Sequence, residues 1–176
     1  MHFLHDRHAK IVFDFATRTW YCHTQMETNM KIYVRGINER LTKHEIRDIV
    51  AFGGETLLGK RLSKNVTVIV KNSNLKRYEW GYCGPTDWHN RKHREFEILL
   101  NYNASRKNQI ITLLHEMAHV KQYARSQLIC YGHNSFKWLG KKVLTESNEY
   151  VNLPWEIEAV QAEKYLLELY KQYKRS

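Results

Sequence analysis

His115-Glu116-Met117-Ala118-His119 places two imidazoles four residues apart with a carboxylate beside the first. The pentapeptide lies in Ile110-Ile-Thr-Leu-Leu-His-Glu-Met-Ala-His-Val-Lys-Gln-Tyr123, a run with helical periodicity. On a helix, residues four apart stand one above the other, so both rings can reach one ion. Neutral imidazole suits zinc, and a catalytic zinc site takes three protein ligands and keeps a position open for water. Glu116 can then hang beside that water as general base, the arrangement of metal-assisted peptide hydrolysis. The alternative is two surface histidines flanking a solvated acid. Ile110, Ile111, Leu113 and Leu114, which precede the motif, argue against a surface position.

Two histidines hold zinc poorly, so a third donor is required. His133 follows His119 by fourteen residues in Tyr-Gly-His-Asn-Ser-Phe-Lys-Trp138, and Glu156 and Glu158 open the last helical stretch. On a helical wheel the apolar stripe Trp155, Ala159, Ala162, Leu166 and Leu169 runs between the two glutamates. Glu158 lies roughly 60° from its centre and Glu156 roughly 100° away on the other side, which leans to Glu158 without deciding. Either acid also suits a helix N-terminus, where it offsets the dipole. A donor for a developing oxyanion is sought in Tyr123, Tyr150 and His133, in that order.

These side chains need elements to hold them. Short β-rich runs occupy Lys10-Ile-Val-Phe-Asp-Phe15, Thr19-Trp-Tyr-Cys-His23 and Met30-Lys-Ile-Tyr-Val-Arg35. Thr42 with Glu45 forms a capping box for a helix over about 42–58, weakened in its middle by Gly53-Gly54. Asn65–Lys71 reads as a strand, 72–93 as a long loop or irregular hairpin, and Arg94–Asn101 as an edge or half-buried strand. Asn103-Ala-Ser105 caps the helix that carries the metal motif, which runs to about Arg125. Residues 126–152 read as a polar connection with one short helix around Phe136 to Leu144. Pro154–Tyr173 is a helix opened by proline and closed by basic residues. The order predicts an α+β fold. His89 and His93 fall in the long loop and read as surface residues, and His2, His5 and His8 as solvated ones.

At 176 residues the chain suits one globular domain. It has no apolar run long enough to span a membrane, so no membrane partner is expected. The N-terminus lacks the apolar core of a secretory signal, and Cys22, Cys83 and Cys130 are too scattered for a disulfide framework. Reduced thiols in a cytoplasmic protein are the expectation. The formal charge of +10 favours polyanions such as nucleic acid, although the Lys and Arg are spread along the chain as solvated surface charge would be.

In order along the chain, helix 42–58, strand 65–70, Arg94-Glu-Phe-Glu-Ile98, His115–Tyr123, Trp138-Leu-Gly-Lys141 and Pro154-Trp-Glu-Ile-Glu-Ala159 resemble a family of small phage and bacterial proteins. That family is related to the SprT-like and other HExxH zincins, including minigluzincin-like metallopeptidases. The resemblance spans about residues 37–170. It implies a zincin-like domain over 37–176, a small mixed sheet packed on the HExxH helix plus a C-terminal helix, with residues 1–36 as a β-rich extension.

The same resemblance implies Zn2+ as cofactor, a protein or peptide substrate, and Glu116 as general base. In glutamate-type zincins the third ligand is a Glu followed three positions later by a small residue. Glu156 with Ala159 fits that pattern, and Glu158 comes next. The SprT-like branch uses a His from Gly-His-Gly followed by an aromatic. Gly132-His133 with Phe136 fits that in part, since Asn134 replaces the second glycine. Zincins pair extended substrate with an edge strand, and Phe96-Glu97-Ile98 stands where the resemblance puts it. Some SprT-like relatives cleave proteins attached to DNA, so the alternative is a nucleic-acid-associated module with a non-catalytic zinc. A phage origin implies the host cytoplasm.

Overall fold

The computed structural model describes residues 10–14, 19–23, 30–76, 79–87, 92–132, 134–145 and 150–175. The helices among them are α1 (Lys43–Ser63), α2 (Arg106–Ala124) and α3 (Pro154–Tyr173). The strands are β1 (Lys10–Asp14), β2 (Thr19–His23), β3 (Lys31–Arg35), β4 (Thr67–Ser73), β5 (Gly81–Pro85) and β6 (Glu95–Asn101). They continue with β7 (Leu128–Gly132), β8 (Ser135–Trp138) and β9 (Lys141–Leu144). The fold is mixed α+β. Among the described residues no helix is long and apolar enough to cross a membrane.

β1 and β2 form an antiparallel pair, as their β-rich composition predicts. The main sheet has the order β3-β4-β6-β5, parallel across its first three strands and antiparallel at β5. α1 supplies the crossover that a parallel β3–β4 pair requires. β3 is thus a full member of the sheet, and the sheet takes up chain that the sequence assigned to an extension ending at residue 36.

Helix ends follow the capping chemistry. Thr42 Oγ1 accepts from Glu45 N at 3.2 Å while Glu45 Oε2 accepts from Thr42 N at 2.8 Å. Ser105 Oγ accepts from Asn108 N at 3.2 Å at the start of α2. Arg106 Nη2 donates to Glu45 Oε1 at 2.5 Å and ties the two helix starts together. Gly53 and Gly54 do not interrupt α1. A Cβ at Gly53 would lie 3.1 Å from Met117 Cβ and Cγ, so the missing side chain lets α1 pass close to the metal-motif helix. That packing offsets the intrinsic helix cost of glycine, about 1 kcal/mol.

α2 lies at the centre of the domain, against α1 on one side, α3 on another and the sheet beneath. Leu113, Leu114, Met117 and Val120 from α2 meet Phe96, Ile98 and Leu100 from β6 in one continuous core. At roughly 25 cal/mol per Å² of apolar area removed from water, this burial is what holds α2 rigid under the site.

Two stretches differ from expectation. Residues 81–85, read as long loop or irregular hairpin, form β5, because pairing with β6 supplies hydrogen bonds that a Gly- and Pro-containing segment does not advertise locally. Residues 136–144, read as a short helix, are β8 and β9 of a three-stranded antiparallel sheet, β7-β8-β9. Leu139 and Gly140 between them both take positive φ, 46° and 88°, the requirement of a two-residue hairpin turn. Phe136 and Trp138 alternate onto one face and pack tilted against Trp155, with ring centroids 5.0 and 6.4 Å away.

Candidate metal centre

His115 and His119 project from one face of α2 with ring centroids 4.9 Å apart and planes at 77°. Opposite them is the first turn of α3, which Pro154 opens and Trp155 anchors beneath the β7–β9 sheet. Ala159 on α3 is fully buried, and its small side chain allows the two helices to approach. Glu156 in that first turn reaches both imidazoles: Oε2 is 3.4 Å from His115 Nε2 and Oε1 is 3.5 Å from His119 Nε2. One ligand atom from each of the three residues falls within a 4.8 Å group. Tetrahedral zinc with bonds of about 2.0–2.1 Å separates its ligand atoms by about 3.4 Å, which the two nitrogen–oxygen distances match.

The rings are oriented from behind. His119 Nδ1 lies 2.9 Å from Gln122 Oε1, and His115 Nδ1 lies 3.1 Å from Glu163 Oε2. Gln122 is fully buried, and its Nε2 donates to Trp155 O at 2.9 Å and to Glu158 Oε2 at 2.7 Å. Since both of those partners only accept, the amide oxygen faces His119, whose Nδ1 must therefore carry the proton. A carboxylate does the same for His115. Both Nε2 atoms are thereby turned toward Glu156, as in histidines whose far nitrogen is held by an acceptor while the near one meets a metal.

The charges are strongly coupled. Burial opposes protonation of His115, but hydrogen bonds to the Glu156 and Glu163 carboxylates push its pKa up to about 10. Burial also opposes protonation of His119, and Glu156 with Glu116 outweighs it. For Glu156 burial favours the neutral acid, yet the hydrogen bonds from His115 and His119 hold its carboxyl down at about 2. The three residues thus form an ion cluster in which protons occupy the place a divalent cation can take. Glu116 is 5% exposed, and burial raises its carboxyl above the usual range while the two histidines pull it down.

Of the residues singled out in the sequence, His115, Glu116, His119 and Glu156 come together. Glu158 turns away, pairing with Lys121 Nζ at 2.5 Å as well as with Gln122. His133 lies outside the described residues, as do His2, His5, His8 and His89. Tyr150, in a 3-10 turn at Tyr150–Asn152, is 66% exposed, yet its hydroxyl hydrogen-bonds Glu156. Burial, then that carboxylate, raises its pKa. Tyr123 is buried with its ring edge-on to His93 at 6.2 Å and tilted to Phe96 at 6.5 Å, so packing defines its place. His93, expected at the surface, is buried, with Nδ1 3.1 Å from Asp87 Oδ1.

The strand assigned to substrate pairing needs correction. Phe96 and Ile98 are fully buried and Glu97 forms an ion pair with Lys71. β6 is hydrogen-bonded on both sides, by β4 and by β5, and so has no edge to offer. The edge strands of this sheet are β3 and β5, and β5 is the one that lines the site. Trp80 O accepts from Asn101 N at 3.0 Å and Thr86 N donates to Glu95 O at 2.9 Å. In an antiparallel ladder alternate residues face the same way, so Gly81 and Cys83 direct their N–H and C=O groups outward from the sheet.

Three contributors escaped the sequence reading: Gln122, Glu163 and Gly81. Gln122 sits three residues past His119 and Glu163 two helical turns past Glu156, so helical spacing carried both signals. A Cβ at Gly81 would sit 2.4 Å from Thr112 Cγ2 and 2.9 Å from Glu116 Oε1, so only glycine leaves the acid its place. Two cavities, of about 540 and 390 Å3, open on either side of the cluster and share Gly81, Glu116, Tyr150 and Glu156 in their linings. Compared with known proteins, the chain matches no family model, no curated protein and no solved structure.

Proposed function

We propose that the chain is a zinc-dependent peptide hydrolase with a zincin-like fold, in which His115, His119 and Glu156 are the metal ligands and Glu116 is the general base. The observation that carries this reading is the pair of Nε2 atoms 3.4 and 3.5 Å from one carboxylate, each ring held by its Nδ1 from behind. Two nitrogens and an oxygen are the donor set of catalytic zinc with a position left for water. A bound zinc ion would lower the pKa of a coordinated water towards about 7 and polarise the substrate carbonyl.

The chain's own groups do the rest. Glu116, kept basic by its buried setting, accepts the proton of the attacking water and passes it to the amine nitrogen as the C–N bond breaks. The Tyr150 hydroxyl stands beside Glu156 and can donate to the oxygen that gains charge. Gly81 and Cys83 offer main-chain partners to an extended peptide at the cleft.

Metal analysis and a Glu116→Gln variant test the reading. The variant should retain one zinc per chain while cleavage of a denatured protein falls about 10²- to 10⁴-fold. Zinc-free wild-type protein after mild zinc loading, or full activity in the variant, overturns the reading.

A further inference from the structure

The two cavities beside the cluster differ in size and in the ionisable groups that line them. The larger leaves the site between β5 and the β7–β8 hairpin, walled by Tyr123, Leu128, Phe136, Leu153, Trp155 and Cys130. Among the described residues its only acidic or basic linings are Glu116, His119 and Glu156, which belong to the site itself. The smaller cavity carries more ionisable groups for its size, since His115 and Glu163 join the shared Glu116 and Glu156 beside Trp80 and Ile111. At about 540 Å3 the larger one can seat a bulky side chain together with the main chain that carries it.

Strand direction says which part of a peptide would meet it. β5 begins next to Trp80 and Gly81, which line the smaller cavity, and proceeds to Tyr82 and Cys83, which line the larger. Antiparallel pairing is the more stable arrangement per residue and uses the outward groups of Gly81 and Cys83. A peptide bound so runs against β5, with its amino-terminal part over the larger cavity and its carboxyl-terminal part over the smaller. Glu116 lies at the junction of the two.

We infer that the cleft selects a large apolar side chain, of the Phe, Tyr, Leu or Met kind, one or two residues to the amino-terminal side of the cleaved bond. The inference rests on the hydrolase reading and adds a substrate class to it. Transfer of such a side chain from water into an apolar wall discriminates it from Ala by roughly 10- to 100-fold in kcat/KM.

The test uses the zinc-loaded full chain on a peptide mixture, with the Glu116→Gln protein as blank and new termini read by mass spectrometry. Enrichment of Phe, Tyr, Leu or Met just before the cut is expected, and matched Phe and Ala peptides should show the 10- to 100-fold ratio. Cuts without that enrichment, or with apolar residues selected only after the bond, overturn the inference and leave the hydrolase reading standing. Absence of any zinc- and Glu116-dependent cut overturns both. A Cys130→Trp change on partly exposed β7 should fill the cavity and bring the Phe to Ala ratio toward one with zinc still stoichiometric. An unchanged ratio in that folded, zinc-loaded variant rejects this cavity as the seat, and the unmodified chain's profile decides the matter should the variant not fold.

Discussion

Gln122 Oε1 accepts from His119 Nδ1 at 2.9 Å, one helical turn beyond the second histidine of the motif. The same amide reaches across to Trp155 O on α3, so a single buried side chain both sets the tautomer of His119 and ties α2 to α3.

Replacing Gln122 by Ala should therefore weaken zinc binding about 10- to 100-fold, the usual effect of losing a partner behind a ligating histidine. Competition with a chromogenic chelator gives the constant directly. Unaltered affinity would mean that the Nδ1 contact has no part in orienting the ring.

The two glutamates of the last helix should separate cleanly. Glu156→Gln should release zinc, because the carboxylate between the imidazoles is gone. Glu158→Gln should keep zinc and cost at most about 1 kcal/mol, since its partly exposed pair with Lys121 is worth little. Metal content and urea midpoints of the two proteins are the measurements; loss of zinc in the second variant instead would exchange the roles.

Gly81→Ala should disturb the site without touching a ligand. The new Cβ would fall 2.4 Å from Thr112 Cγ2, and overpacking of this kind costs about 1–3 kcal/mol. Thr112→Ser removes that methyl, so the double variant should recover stability that Gly81→Ala loses. A thermal melt of the four proteins in the cycle measures the coupling, and simple additivity would contradict the contact.

The pH dependence of the metal-free protein follows from the cluster. His115 is raised from 6.5 to about 10, so its contribution is complete below pH 6.5 and fades as pH rises toward 10. Glu156 is lowered from 4.5 to about 2, so its contribution is complete above pH 4.5 and fades as pH falls toward 2. Stability without metal should thus be best between about pH 4.5 and 6.5 and decline on the alkaline side. Zinc, which needs the rings unprotonated, should bind more tightly over that same alkaline interval. Denaturant midpoints taken with chelator and with zinc should move in opposite directions between pH 6.5 and 8; parallel curves would count against a shared site.

The helices were legible from the chain because their signals are local. The Thr42–Glu45 box, the Ser105 cap and Pro154 at the head of α3 act within one turn of the residues they organise. β5 and the β7–β9 hairpins were not, because strands of four or five residues are held by partners distant in sequence. Gly81 and Pro85 read as loop until β6 is placed beside them, and Phe136 and Trp138 read as helix until Trp155 is placed beneath.

Sequence by itself determined that His115, Glu116 and His119 share one stretch of buried helix, since a period of 3.6 residues aligns the two rings whatever surrounds them. Only tertiary structure decided that Glu156 faces those rings and Glu158 faces Lys121. The two acids flank the same buried stripe, and the rotation of α3 between them is set by Trp155 seated under the small sheet and by the packing of α3 on α2 with Ala159 fully buried, contacts that no local pattern encodes.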